Sequence, residues 1–139
     1  MNPIFRNILA VIAGLFVGSV ANMSIILMSS SVIPAPHGAD VTTVEGLKAT
    51  MHLFEPKHFI FPFLAHAIGT FAGALTTIFI ASSQKAKLAY IIGAFFLFGG
   101  IVNVCTLPSP IWFSIVDLVF AYLPVTYLAI KLTAKKEAV

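Results

Sequence analysis

The stretch FIFPFLAHAIGTFAGALTTIFIA, residues 59–81, decides how the rest of the chain is read. It contains no Lys, Arg, Asp or Glu. A helix of about 20 apolar residues crosses the hydrocarbon core of a bilayer. One imidazole, His66, interrupts this run, and Ala65, Gly69, Gly73 and Thr77 recur at every fourth position. That interval lines small side chains along one face, where a second helix backbone can come close. The stretch therefore reads as a membrane-spanning helix with a packing stripe and one ionisable group.

Three other stretches read the same way: residues 4–28, 88–105 and 111–132. The first repeats the small-residue interval at Ala10, Gly14 and Gly18. None has a Lys or Arg at its centre. Ser19-Val20-Ala21 has the small-x-small form of a signal-peptide cleavage site. The apolar run continues through residues 25–28, however, so a retained helix is expected.

Composition supports lipid as the outer solvent. Of 139 residues, 59% are hydrophobic and 9% charged, and the mean hydropathy is +1.01. A soluble domain carries about 25% charged residues. Thirteen Phe suit a surface facing acyl chains. The net charge of +3 comes mostly from basic residues flanking apolar runs. No basic patch with interleaved aromatics is present, so nucleic acid is not an expected partner. A single cysteine, Cys105, excludes an internal disulfide.

The connections set the expected topology. Residues 82–87 form a short basic turn, and Leu107-Pro108-Ser109-Pro110 a tight proline turn, so antiparallel hairpins are expected. Six basic residues (Arg6, Lys85, Lys87, Lys131, Lys135, Lys136) fall on one side and two (Lys48, Lys57) on the other. The positive-inside rule then puts both termini in the cytoplasm. Trp112 falls at the outer boundary, where an indole ring is well placed. The first connection, residues 29–58, is too long to be structureless. Thr42 and Glu45 have capping-box spacing, and Val44, Leu47, Met51 and Phe54 recur at helical intervals. A short amphipathic helix over about residues 43–54 is expected, lying on the outer surface or folded over the bundle. The fold class is thus all-α: one integral membrane domain, residues 1–139, built as a four-helix bundle. Small bacterial four-helix membrane proteins share this plan, which suggests a bacterial cytoplasmic membrane.

The ionisable residues are concentrated. All four histidines lie between His37 and His66, along with Asp40, Glu45 and Glu55. A wet outer loop accounts for most of them. His66 is different, because it lies about 10 Å inside its helix at 1.5 Å per residue. Asp117 lies at a similar depth in the last span. Charged groups at such depth are costly and face the bundle interior. A pair between His66 and Asp117 is expected, either locking helix register or forming a site. Asn103 and Asn22 place polar groups in the outer halves of the remaining spans, and Pro124 must leave the Phe120 carbonyl unpaired. His52, Glu55, His58 and His66 offer donors for zinc or iron, but their spacing matches no metal motif. The candidate polar cluster is His66, Asp117, Asn103, Asn22, His52, Glu55 and His58. No cofactor is indicated.

Three functional classes fit these residues. The first is binding or transport of a small molecule or ion at an outward-facing polar site. The second is an accessory subunit of a larger membrane complex, or a homo-oligomer packed through the small-residue stripes. The third is a membrane-embedded enzyme using the His/Asp pair, with or without a metal.

Overall fold

The computed structural model describes residues 1–137, the side chains of residues 135–137 excepted. The side chains of Lys135 and Lys136, counted in the charge bias, therefore lie outside the described set. The elements are α1 (Pro3–Val32), α2 (Val44–Thr50), α3 (Ile60–Ile80), α4 (Lys85–Thr106), α5 (Ile111–Phe120) and α6 (Leu123–Glu137). Short 3-10 turns at Met51–Leu53 and Pro56–Phe59 lead into α3. No strand occurs among the described residues.

Among the described residues, four helical stretches are long and apolar enough to cross a membrane: Pro3–Val32, Pro56–Ile80, Lys85–Thr106 and Ile111–Ala134. This points to an integral membrane protein. The outward side chains agree. Phe16, Phe79 and Phe98 are 69%, 64% and 64% exposed, an arrangement that suits acyl chains and not water.

Local sequence explains where the helices begin. Pro3 stands in the first turn of α1, where a missing N–H costs nothing. The Asn2 side chain accepts from the Ile4 N–H at 2.8 Å. At 1.5 Å per residue, α1 is about 45 Å long, well beyond the hydrocarbon thickness of about 30 Å.

α3 is the central helix and packs on α1, α4 and α6. Its closest partner is α1, met through the two small-residue stripes. A Cβ added to Gly14 would lie 2.7 Å from the Gly73 carbonyl oxygen, and one added to Gly18 would lie 2.7 Å from that of Gly69. The Thr77 hydroxyl donates to the Ala10 carbonyl at 3.2 Å and to its own Gly73 carbonyl at 3.0 Å. Rising numbers on α1 thus meet falling numbers on α3.

One end of the bundle collects polar caps. Arg6 Nε donates to the Ile80 carbonyl at 2.6 Å, and the Asn7 amide oxygen accepts from the Ser82 N–H at 3.0 Å. Lys85 borders a groove shared with Ile130 and Thr133 at the same end. The long connection closes the other end. Met51, Phe59 and Phe113 form an apolar cluster there, with Leu47, Phe54, Phe63 and Leu107 packed against it.

The connecting helix differs from the sequence expectation. α2 stops at Thr50 and tightens into a 3-10 turn, so the element does not run evenly from 43 to 54. Its N-cap is Thr43, whose hydroxyl accepts from the Gly46 N–H at 2.9 Å. Thr42 serves Asp40 instead, donating through its hydroxyl at 2.6 Å and its backbone N–H at 2.8 Å. These bonds, the hydroxyl's first, hold the Asp40 carboxyl below its usual range. Val44, expected on the apolar face, is half exposed.

The last span also differs. A single helix over 111–132 is expected, but α5 ends at Phe120 and α6 starts at Leu123. Pro124 is the reason. It has no N–H for the Phe120 carbonyl, and its ring crowds that group. α5 closes with the Ala121 N–H on the Asp117 carbonyl at 3.0 Å, and the Tyr122 carbonyl opens α6 by accepting from the Thr126 N–H at 2.9 Å.

The stripe generates a clear contrast. Gly14→Ala drives a methyl into a backbone oxygen, so the helices must part at a cost of about 1–3 kcal/mol. Gly99, where an added Cβ meets nothing within 4 Å, gains up to about 1 kcal/mol of helix propensity as Ala. Thermal unfolding in detergent should rank Gly14→Ala below, and Gly99→Ala at or above, the parent chain. Equal losses at both positions would disprove the backbone-contact account.

Candidate functional site

α3 places His66 on the face that turns from α1 toward α5. Its imidazole Nδ1 lies 2.8 Å from Asp117 Oδ1. Asp117 is 2% exposed. A carboxyl group so deep needs a hydrogen-bond partner at both oxygens. The second is Tyr122, whose hydroxyl donates to Asp117 Oδ2 at 2.9 Å. The Tyr122 ring also stacks on His66, with centroids 5.7 Å apart and planes 28° from parallel.

Tyr122 is five residues after Asp117, a spacing that does not align side chains along a continuous helix. The break between α5 and α6 turns the phenol back toward the carboxylate. The opposing wall is cut to receive it. A Cβ on Gly100 would clash with the Tyr122 hydroxyl and stand 2.7 Å from its Cζ. Gly100 on α4 therefore seats the ring that holds Asp117.

Beside this triad lies a cavity of about 310 Å³. Asn22 of α1, His66 of α3, and Phe96, Gly99 and Asn103 of α4 line it, with Tyr122 at its base. Three of the expected polar residues, His66, Asn103 and Asn22, thus share one cavity, and Asp117 stands behind His66. The amides of Asn22 and Asn103, and Nε2 of His66, make no hydrogen bond to any described residue. Nε2 is the ring nitrogen of His66 left without a protein partner. The residue 29–58 connection contributes nothing to the lining, so it does not roof this cavity.

The other expected residues lie elsewhere. Glu55 and His58 border a separate groove with His37 and Lys57. There His58 Nδ1 accepts from the Glu55 N–H at 2.9 Å, capping the 3-10 turn before α3. Lys57 pairs with Glu55 at 2.9 Å, and this ammonium holds the Glu55 carboxyl below its usual range. His52 is exposed. Among the described residues, no three His, Cys, Asp or Glu side chains gather closely enough to hold a metal ion. The set His52, Glu55, His58 and His66 is divided because His58 is spent on a cap and His66 on Asp117.

Tyr122 and Gly100 are the site residues that sequence reasoning missed. The signal available was Pro124: a helix broken there frees the residue two positions earlier to turn back. Comparison with known protein families, curated proteins and solved structures gives no match, so the functional reading rests on this geometry.

Tyr122→Phe should leave Asp117 Oδ2 without its donor and lower stability by about 1–3 kcal/mol. Gly100→Ala should cost a similar amount by unseating the ring. Because both act on one contact, thermal unfolding of the double variant should fall short of the sum. Full additivity would show that Gly100 does not position Tyr122.

Proposed function

We propose that this chain binds, or passes across the membrane, a small polar molecule or ion held between its helices. One observation carries the reading. Three polar groups from three different helices, Asn22, His66 Nε2 and Asn103, converge on one cavity without protein partners. Polar groups within a span are costly unless satisfied, so something with hydrogen-bonding capacity belongs there. A cavity of about 310 Å³ holds roughly ten waters at about 30 Å³ each, or one small solute.

The proposed frame is an antiparallel bundle with both termini in the cytoplasm and α2 lying near the outer surface. Supporting that orientation, Arg6, Lys85 and Lys131 belong to the same end of the bundle. The cavity then belongs to the outer half, because Asn22, His66 and Asn103 lie toward the ends of their helices that bear the long connection. A bundle of four helices is narrow, so passage through it would be one solute at a time or would need an oligomer.

A membrane-embedded enzyme is the second reading, and the His66–Asp117 contact favours it. An imidazole oriented through Nδ1 by a carboxylate presents Nε2 as a general base. The cavity lining offers no Ser, Cys or Lys nucleophile, so the base would have to act on water or on the ligand itself.

Gly99→Leu is the sharpest test of the site. Gly99 lines the cavity and an added Cβ there meets nothing within 4 Å, so the unfolding temperature should stay within about 2 °C of the parent. A panel of small hydrogen-bonding solutes is then screened for thermal stabilisation of both proteins in detergent. The expected result is a solute that stabilises the parent and not Gly99→Leu. Solutes that stabilise both equally, or none that stabilises either, would remove the site.

A further inference from the structure

The end of the bundle that bears the long connection holds two grooves that share one residue, Lys57. The first, of about 540 Å³, opens between α3 and α5. Phe59, Ile60 and Phe63 line one side and Trp112, Phe113 and Val116 the other. Lys57 is its one charged lining residue among those described. The second, of about 490 Å³, is the groove bordered by His37, Glu55, Lys57 and His58. Pro56 and Lys57 thus border an apolar slot, and Glu55, Lys57 and His58 a polar one. We propose that the two grooves together hold one phospholipid, whose headgroup carries a phosphate and a primary ammonium and whose acyl chain lies in the apolar groove. This site is separate from the cavity beside His66 and needs only that the helices span a membrane.

Depth comes first. Pro56 and Ile111 open two of the apolar spans, so Lys57 and Trp112 stand at one membrane boundary, the level of lipid headgroups. From Lys57 the apolar groove reaches Leu64, seven residues or about 10 Å into the span. Ile60, Leu64, Trp112 and Val116 are exposed along it, so it opens to the acyl phase. Its aromatic wall is already assembled. The buried Phe59 ring meets Trp112 edge to face at 5.7 Å between centroids and packs on Phe113 at 4.7 Å.

Charge then selects the headgroup. Lys57 Nζ lies 2.9 Å from Glu55 Oε2, and both side chains are more than half exposed. Such a pair is weak, so either member can take an outside partner at little cost. A phosphate on the Lys57 ammonium and a primary ammonium on the Glu55 carboxylate extend one ion pair into four alternating charges. An amphiphile with a single negative charge would draw Lys57 away and give Glu55 nothing in return. A quaternary ammonium head has no N–H to donate to Glu55. It is recognised by aromatic rings, and among the described residues no Phe, Tyr or Trp lines the polar groove.

The test is native mass spectrometry of the purified full chain in detergent, titrated with dioleoyl lipids bearing phosphoethanolamine, phosphocholine or phosphoglycerol heads. One phosphoethanolamine lipid should be retained, bound about three- to fivefold more tightly than either of the others. Lys57→Gln should reduce its binding to the phosphocholine level, with the unfolding temperature in lipid-free detergent within about 2 °C of the parent. Water-soluble glycerophosphoethanolamine should not compete, because it has no chain for the apolar groove. Gly99→Leu should bind the lipid as the parent does, which separates this site from the cavity. Equal binding of the three lipids, or a preference for phosphoglycerol, would overturn the headgroup assignment. A preference that survives Lys57→Gln, or that is lost in Gly99→Leu, would overturn the location. Competition by the soluble head would remove the apolar groove from the site, and failure to retain any lipid would overturn the whole proposal.

Discussion

α1 and α3 approach until carbonyl oxygens of α3 lie only 2.7 Å from where a Cβ on Gly14 or on Gly18 would be. Only glycine permits this. The gain is dispersion over two bare backbone surfaces, plus one buried hydroxyl bridge from Thr77 to the Ala10 carbonyl. The seam has a functional consequence one turn further along. It sets Asn22 against Gly69, so the amide on α1 faces the same cavity as His66 on α3.

The second constraint is electrostatic. A carboxyl at 2% exposure inside an apolar bundle has no solvent to turn to, and it must be met by protein donors. Two are provided, and each restricts other parts of the chain. His66 can serve only from α3. Tyr122 can serve only if the last span breaks, which Pro124 brings about, and only if α4 gives way, which Gly100 allows. One buried carboxyl group thus ties α3, α4, α5 and α6 to a single register. At the break the Ala121 N–H and the Tyr122 carbonyl both find helical partners.

These two constraints divide the polar groups into spent and unspent. Asp117, Tyr122 Oη and His66 Nδ1 satisfy one another. Asn22, Asn103 and His66 Nε2 do not, and they lie together beside the satisfied set. The network is closed on its deep side and open toward a cavity, which is the geometry that supports the binding reading proposed above.

Residue order by itself determined the four spans and marked a small-residue stripe on each of α1 and α3; that the two stripes meet each other was decided by the tertiary structure. Length, apolarity and a four-residue interval are local properties, readable in the stretch that bears them. It also isolated His66 and Asp117 as groups too deep in their spans to be left alone. Tertiary structure alone decided which groups share a cavity. The partner set of Asp117 combines α3 with the α5–α6 junction, and the seat for Tyr122 is a glycine on α4, more than 20 positions earlier in the chain. Nothing local to Gly100 distinguishes it from Gly99, where an added Cβ meets open space. The histidines of the long connection show the converse. They are near His66 in sequence and apart from it in the fold, because His58 is consumed in capping a 3-10 turn and His52 stays at the surface. Periodicity reports which face of a helix a side chain occupies. It does not report what stands opposite, and the chemistry of this site depends on what stands opposite.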